Sequence, residues 1–422
     1  MAKNTLLLLV LVCGGRVFSQ ADNLFFKYKD AAIPFRARIA NVGKDSARIH
    51  LCVERNFFSY NYHEAATPEQ VKYTADGKFV VEVYKNGELN RPMETFEFML
   101  TDTLDAAQFA ALPSNVVYSR SIALPWEAEY TVKMDLADVN SDTRGFALYP
   151  LNRREGAPMF DIFLKEGGKR TPVFDHVLFS GKNYSFETAQ KDWNVTLYPG
   201  DTAVAAPPFI QKTPAAPKAP KPSAPSFKIN AKDFSIAQRG VTAAFQAVDA
   251  KTNPVYFYVA PAELTAPTWT PNPADMVGAM AYIATPAEMK TLNTAKNPVK
   301  ELESLWNALN AAKTEALNMI YYNRAAYANR YFTTIDREGW QTDKGMAFIV
   351  LGQPDAVTLR SQGEYWFYEK SPEAPDVPMQ LYFQRVEHPF GGDFLVLDRK
   401  STYQKSWQAI LGKWRKGQIV NE

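Results

Sequence analysis

Lys78-Phe79-Val80-Val81-Glu82-Val83-Tyr84-Lys85-Asn86-Gly87-Glu88 is a run of β-branched and aromatic residues that closes on an Asn-Gly pair. Val, Phe and Tyr fit a pleated, half-buried surface. Asn-Gly tolerates the positive φ that a two-residue hairpin turn requires at both central positions. The stretch therefore predicts a strand and a hairpin turn, and its surroundings repeat the pattern. Ala47-Arg48-Ile49-His50-Leu51-Cys52-Val53 alternates apolar and polar residues, and Glu94-Thr95-Phe96-Glu97-Phe98-Met99-Leu100 adds a further strand candidate. Residues 116–123 and 129–136 are two more alternating runs. Short strands separated by turn signals predict a β-sandwich-like domain over residues 20–150.

A second β domain is expected over 151–274, from strand candidates at 160–164, 173–178, 193–197 and 254–259. Residues 205–226 interrupt it. They include Pro-Ala-Ala-Pro-Lys-Ala-Pro-Lys-Pro-Ser-Ala-Pro, which favours extended polyproline conformations and reads as a tether or loop insertion. From Pro298 the period changes. Leu302, Leu305, Trp306, Leu309, Ala316, Leu317, Ile320, Tyr327 and Tyr331 recur at helical spacing, predicting one long helix or two consecutive ones that end near Thr334. Strands are then expected at 347–351, 365–368, 379–385 and 394–397, with turns at Gly352-Gln353-Pro354-Asp355 and Gly391-Gly392-Asp393. The expected fold is mainly β, with tandem sandwich-like domains followed by an α+β C-terminal domain, 275–422, built on a long helix and an antiparallel sheet.

Composition narrows the function. Among 422 residues, 47 are Lys or Arg and 45 are Asp or Glu, a net charge of +2 that lacks the basic excess of a dedicated nucleic-acid binder. Four His and two Cys leave little material for a zinc site or a Cys/His catalytic centre, and they exclude a disulfide-built scaffold. Neither a cofactor nor a metal is expected. His50, His63 and His176 are scattered. Glu387-His388 and Asp393 flank one turn, where a lone His is more often a surface residue. No Gly-x-Ser-x-Gly, His-Glu-x-x-His or phosphate-binding Gly loop is present.

The N-terminus reads as a secretory signal peptide over 1–19. Lys3 precedes the apolar run 6–12, and Val17-Phe18-Ser19 offers a cleavage site before Gln20. The run is too short to span a bilayer. Lipidation at Cys13 is the alternative; Val12 stands where a small residue usually precedes an acylated Cys. Removing 1–19 takes away Lys3 and Arg16 and no acidic residue, leaving 45 basic and 45 acidic residues. Export across the inner membrane to the periplasm or outer membrane follows as an expectation. Cys52 then remains as one thiol, best read as buried and structural.

A resemblance enters in the C-terminal part. Tyr327-Ala328-Asn329-Arg330-Tyr331-Phe332, then Gly339-Trp340-Gln341-Thr342-Asp343-Lys344-Gly345, then Phe348-Ile349-Val350-Leu351-Gly352-Gln353-Pro354-Asp355 resembles the GWxTD domain family. Gly339, Trp340, Thr342 and Asp343 are the residues that name it. Tyr365-Trp366-Phe367-Tyr368 matches a later aromatic strand, and the likeness covers residues 275–400. Where members often carry an Arg-Asp pair, Asn307-Ala308-Leu309-Asn310 stands here. The resemblance implies a secreted or envelope protein of Bacteroidota and related bacteria, with no enzymatic activity to carry over.

Two readings of the motif follow from its residues. As a folding clamp, Trp340 anchors the turn on the long helix, Thr342 and Asp343 cap backbone amides, and Gly345 supplies positive φ at a turn into a strand. As a pocket, Asn329, Arg330, Asp343 and Asp355 converge near Pro354 to bind a ligand or do acid/base work. The clamp is favoured. Residues 401–417 form an amphipathic helix with Trp407, Ile410, Leu411 and Trp414 on one side. Packing on its own domain is its commoner use; peripheral contact with a membrane is the other. The preferred function is an envelope scaffold or interaction module with envelope proteins as partners. The alternative is an enzyme or glycan-binding protein that uses an acidic and aromatic pocket.

Overall fold

The computed structural model describes residues 26–29, 35–65, 67, 70–85, 91–112, 114–210, 220–248, 251–261, 273–310, 317–360, 362–368, 379–391 and 394–418. The signal segment, Cys13, the Asn86-Gly87 turn, residues 211–219 of the Pro-rich stretch and the Gly392-Asp393 turn lie outside them.

The fold is mainly β, with several antiparallel sheets and with helices gathered near the C-terminus. In the first region, the sheet Phe35–Gly43, Ser46–Glu54, Asn115–Ala123 faces a second sheet. That second sheet contains Asn61–His63, Lys72–Lys85, Ala128–Asp138 and Arg144–Arg153, with Glu94–Asp105 also paired to Lys72–Lys85. Inward alternation of Phe79, Val81, Val83, Val132, Met134 and Leu136 fills the space between the sheets. The short helix α1 (Ala106–Ala110) follows Glu94–Asp105 and is closed by an Asp105 and Gln108 capping box. Arg153 is fully buried and donates to the carbonyls of Gly43, Lys44, Ser46, Leu124 and Pro125, which ties the turns of this sandwich together.

The second region pairs a sheet of Lys169–Pro172, Asp161–Glu166, Asn183–Glu187 and Phe234–Ser235 with one of Val177–Phe179, Val255–Ala260, Val241–Ala247, Asp192–Pro199 and Phe227–Asn230. The strand expected at 173–178 is broken by Asp175 and His176, whose φ values are 57° and 55°. Strand Val241–Ala247 escaped the sequence reading because it is buried on both faces and does not alternate.

Helices α2 (Pro273–Ala279), α3 (Pro286–Thr294), α4 (Pro298–Asn310), α5 (Leu317–Phe332), α6 (Asp343–Leu351) and α7 (Gln404–Trp414) share one hydrophobic core with the last sheet. Its order is Phe26–Lys29, Ala356–Arg360, Gly363–Tyr368, Met379–Val386, Phe394–Leu397. Two expectations fail here. Residues 347–351 are the end of α6, not a strand. Thr342 caps α6 by accepting the Gly345 N–H at 2.9 Å, and every residue from Met346 to Leu351 is buried. A short apolar run buried on all sides carries no period, so helix and strand look alike in it. Residues 26–29, assigned by sequence to the first domain, add the edge strand of the C-terminal sheet through pairing with 356–359.

The Pro-rich stretch also departs from a simple tether at both ends. The Ala205 N–H donates to the Gln341 carbonyl at 3.1 Å, the Lys400 N–H to Pro208 at 3.0 Å, and Phe209 packs on the C-terminal core. At its other end Ser223 donates to the Leu197 carbonyl.

Candidate functional site

The motif is a 3-10 turn, Gly339–Gln341, wedged between α5 and α6. A Cβ on Gly339 would sit 1.9 Å from the Ala328 carbonyl, and one on Gly345 would sit 1.9 Å from the Gly339 carbonyl. Both positions need glycine for close backbone approach. For Gly345 this replaces the expected positive φ, because the residue lies in the first turn of α6.

Trp340 is 3% exposed, and its indole lies against Gly278 of α2. Its backbone N–H donates to Asn329 Oδ1 at 2.8 Å, its carbonyl accepts from the Tyr282 hydroxyl at 2.7 Å, and its Nε1 donates to Glu338 Oε2 at 2.9 Å. The Thr342 hydroxyl donates to the Gly339 carbonyl at 2.7 Å while capping α6. Asp343 Oδ2 accepts the Leu397 N–H at 2.8 Å, and both carboxylate oxygens engage Arg399. Arg399 also donates to the Ala206 carbonyl at 3.1 Å, so the same ion pair holds the incoming Pro-rich segment.

The four-residue pocket does not assemble. Asn329 is buried under the Trp340 amide. Arg330 turns away, pairing with Glu54 of the first sandwich at 2.9 Å and reaching Asn115. Asp355 is exposed beyond buried Pro354, with its backbone N–H on the Phe367 carbonyl. His388, read as a surface residue, has a buried side chain with Nε2 3.4 Å from Asp336.

Sequence reasoning missed the groups around this turn. Glu338 is buried, and that burial, helped by Asp275, pushes its carboxyl up to about 7. Asp336 is buried too, which alone would raise it; His388, Arg337 and Thr334 more than offset this and bring it to about 2. Both acids flank Arg337 directly before the motif, which was the available signal. Arg399 carried none, being far from Asp343 in sequence.

A second feature lies where the three cores meet. A cavity of about 670 Å³ is lined by Arg36, Tyr149, Asp175, His176, Tyr256, Lys344, Trp366 and Phe390, among others. Lys344 pairs with Glu364 at 2.9 Å and stands over the rings of Phe332 and Trp366. Beside the cavity, Asp161 is wholly buried between His50 at 2.7 Å, Arg48 at 3.1 Å and Arg38 at 3.7 Å. Burial favours its neutral form, but His50 and Arg38 hold the carboxyl below its ordinary range. Among the described residues, no group of three or more His, Cys, Asp or Glu is placed to hold a metal ion.

With this geometry in view, residues 245–416 match the family model of the GWxTD domain. The chain carries a GWxTD domain over these residues. The match begins inside strand Val241–Ala247, so it takes in the last strands of the second β region as well as the motif. No curated protein matches the chain. Among solved structures, a calcium-binding mutant of Bacteroides uniformis beta-glucuronidase 2 is 11% identical, covering 35% of this chain and 16% of its own, at a TM-score of 0.18. Red sea bream transglutaminase is 10% identical, covering 54% and 31%, at 0.18. The BSP domain of a biofilm associated protein is 13% identical, covering 58% and 53%, at 0.16. TM-scores this low give these likenesses no weight for fold or activity.

Proposed function

We propose that this GWxTD protein is an exported cell-envelope protein that acts as a non-catalytic scaffold or interaction module. The observation that best supports this reading is the internal use of the motif's polar groups. A general acid or base must reach its substrate. The Asp343 carboxylate instead spends both oxygens on Arg399 and the Leu397 amide. The motif joins α2, α5, α6 and the last sheet, and several connected β surfaces remain for partners. Leader cleavage before Gln20 and envelope proteins as partners belong to the same proposal.

The test is crosslinking and pull-down of the tagged full chain from an envelope fraction. A specific envelope partner is expected, and its recovery with Asp343→Asn should fall only as the folded fraction falls. A fully folded Asp343→Asn protein that has lost its partner would overturn the reading. N-terminal sequencing of the exported chain should start at or near Gln20; a start at an acylated Cys13 would overturn the leader assignment.

A further inference from the structure

The turn between strands Lys169–Pro172 and Val177–Phe179 places two consecutive non-glycine residues, Asp175 and His176, in the left-handed backbone region. Such strain persists only where the surroundings enforce it, and it concentrates at ligand and active sites. The enforcing contact here is the Tyr258 N–H, which donates to the His176 carbonyl at 2.9 Å. The result is that Asp175 and His176 both line the junction cavity.

Asp175 Oδ2 is buried, with no hydrogen-bond donor among the described residues. The nearest cation is Arg36, whose Nε lies 3.8 Å away, too far for a hydrogen bond. Oδ2 is closed off, but 26% of the side chain stays exposed, and Oδ1 is the accessible oxygen: an acceptor on the cavity wall that a donor from a molecule in the cavity can reach. The rest of the wall mixes aromatic and aliphatic residues with a few charged ones, Arg38, Glu129, Lys344, Glu364 and Arg385. Tyr256 stacks on Phe390 at 4.8 Å, and Tyr149 accepts the Ala37 N–H beside Arg36. The volume lies within the range of small-molecule sites, which combine apolar walls with a few placed polar groups. Arg36 beside Asp175 disfavours a cationic head, and Asp175 disfavours an anionic one.

We propose that the three-way junction cavity binds a small amphiphile, with an apolar or aromatic body against Tyr149, Tyr256 and Phe390 and an uncharged donor, a hydroxyl or amide, on the accessible Oδ1 of Asp175. Burial also raises the Asp175 carboxyl to about 6, so the acceptor is fully charged only above that pH.

The test titrates the full chain at pH 8 with two probes of one body, 4-butylphenol and 4-butylanisole, by calorimetry. The ether lacks only the donor. The phenol should bind at least tenfold more tightly. Asp175→Gly removes the acceptor while suiting the positive φ, so the variant should fold; a thermal melt checks this. In that variant the preference for the phenol should vanish while the ether binds as before. Equal affinities for the two probes in the wild type, binding of neither, or a phenol preference that survives in folded Asp175→Gly would each overturn the proposal.

Discussion

The Gly339–Gln341 turn, flanked by Glu338 and Asp343, and the Asp175–His176 turn are both irregular segments that carry or adjoin an acid, and they end in opposite states. In the first, Trp340, Thr342 and Asp343 each find partners at hydrogen-bond distance, and two glycines let backbones touch. In the second, two non-glycine residues are held in strained backbone and a carboxylate oxygen is left without a donor. The difference separates closure from readiness. A named motif can be the part of a domain that is finished, while an inconspicuous turn carries the unspent chemistry. Buried polar groups contribute to a fold when satisfied and cost it when not.

The largest effect that would sharpen this contrast is at Trp340. Trp340→Ala removes a buried indole and three hydrogen-bonded anchor points shift with it; an unfolding loss of about 3–5 kcal/mol is expected in chemical denaturation. Next is Glu338. Its carboxyl is raised from 4.5 to about 7 in the fold, so its stabilising contribution is fully present below pH 4.5 and is lost as pH rises through 7. Wild type should lose roughly 3 kcal/mol across that window from this group. Glu338→Gln keeps an acceptor for the indole N–H and should flatten that slope in melts between pH 4 and 8. An unchanged slope would remove Glu338 from the account of the turn.

Asp343→Asn comes third. The Asp343 and Arg399 side chains are 11% and 10% exposed, so weakening one partner of this pair should cost about 2–3 kcal/mol. The smallest effect is at Asp175. Asp175→Gly relieves the backbone and should lie within about 1 kcal/mol of wild type, since the gain in the fold is offset by a freer unfolded chain. If Asp343→Asn proves harmless and Asp175→Gly unfolds the protein, the comparison is the wrong way round.

What the sequence disclosed follows the same division. Strands with one wet face, such as Lys72–Lys85 and Ala128–Asp138, were legible because alternation records burial. The helical period over 302–331 fits α4 and α5; whether they are one helix or two turns on residues 311–316, which lie outside the described residues. Segment 347–351 was misread because burial on every side erases the period that distinguishes helix from strand. The clamp residues stood together in the motif, but Arg399 and Tyr282 are joined to it only by tertiary packing. Asp175 and His176 sat inside an apolar run that reads as a strand; nothing local announces two left-handed residues without glycine.

The edge strand Phe26–Lys29 sets an order of events. It pairs with 356–359, so more than 300 residues must exist before the last sheet can be completed. In a bare chain a loop of that length would cost about 5 kcal/mol to close. Once the intervening cores have formed, the remaining gap is short and the cost is largely met. This early strand is therefore among the last elements to find its place, and a chain truncated before Ala356 leaves it without the neighbour it pairs with here.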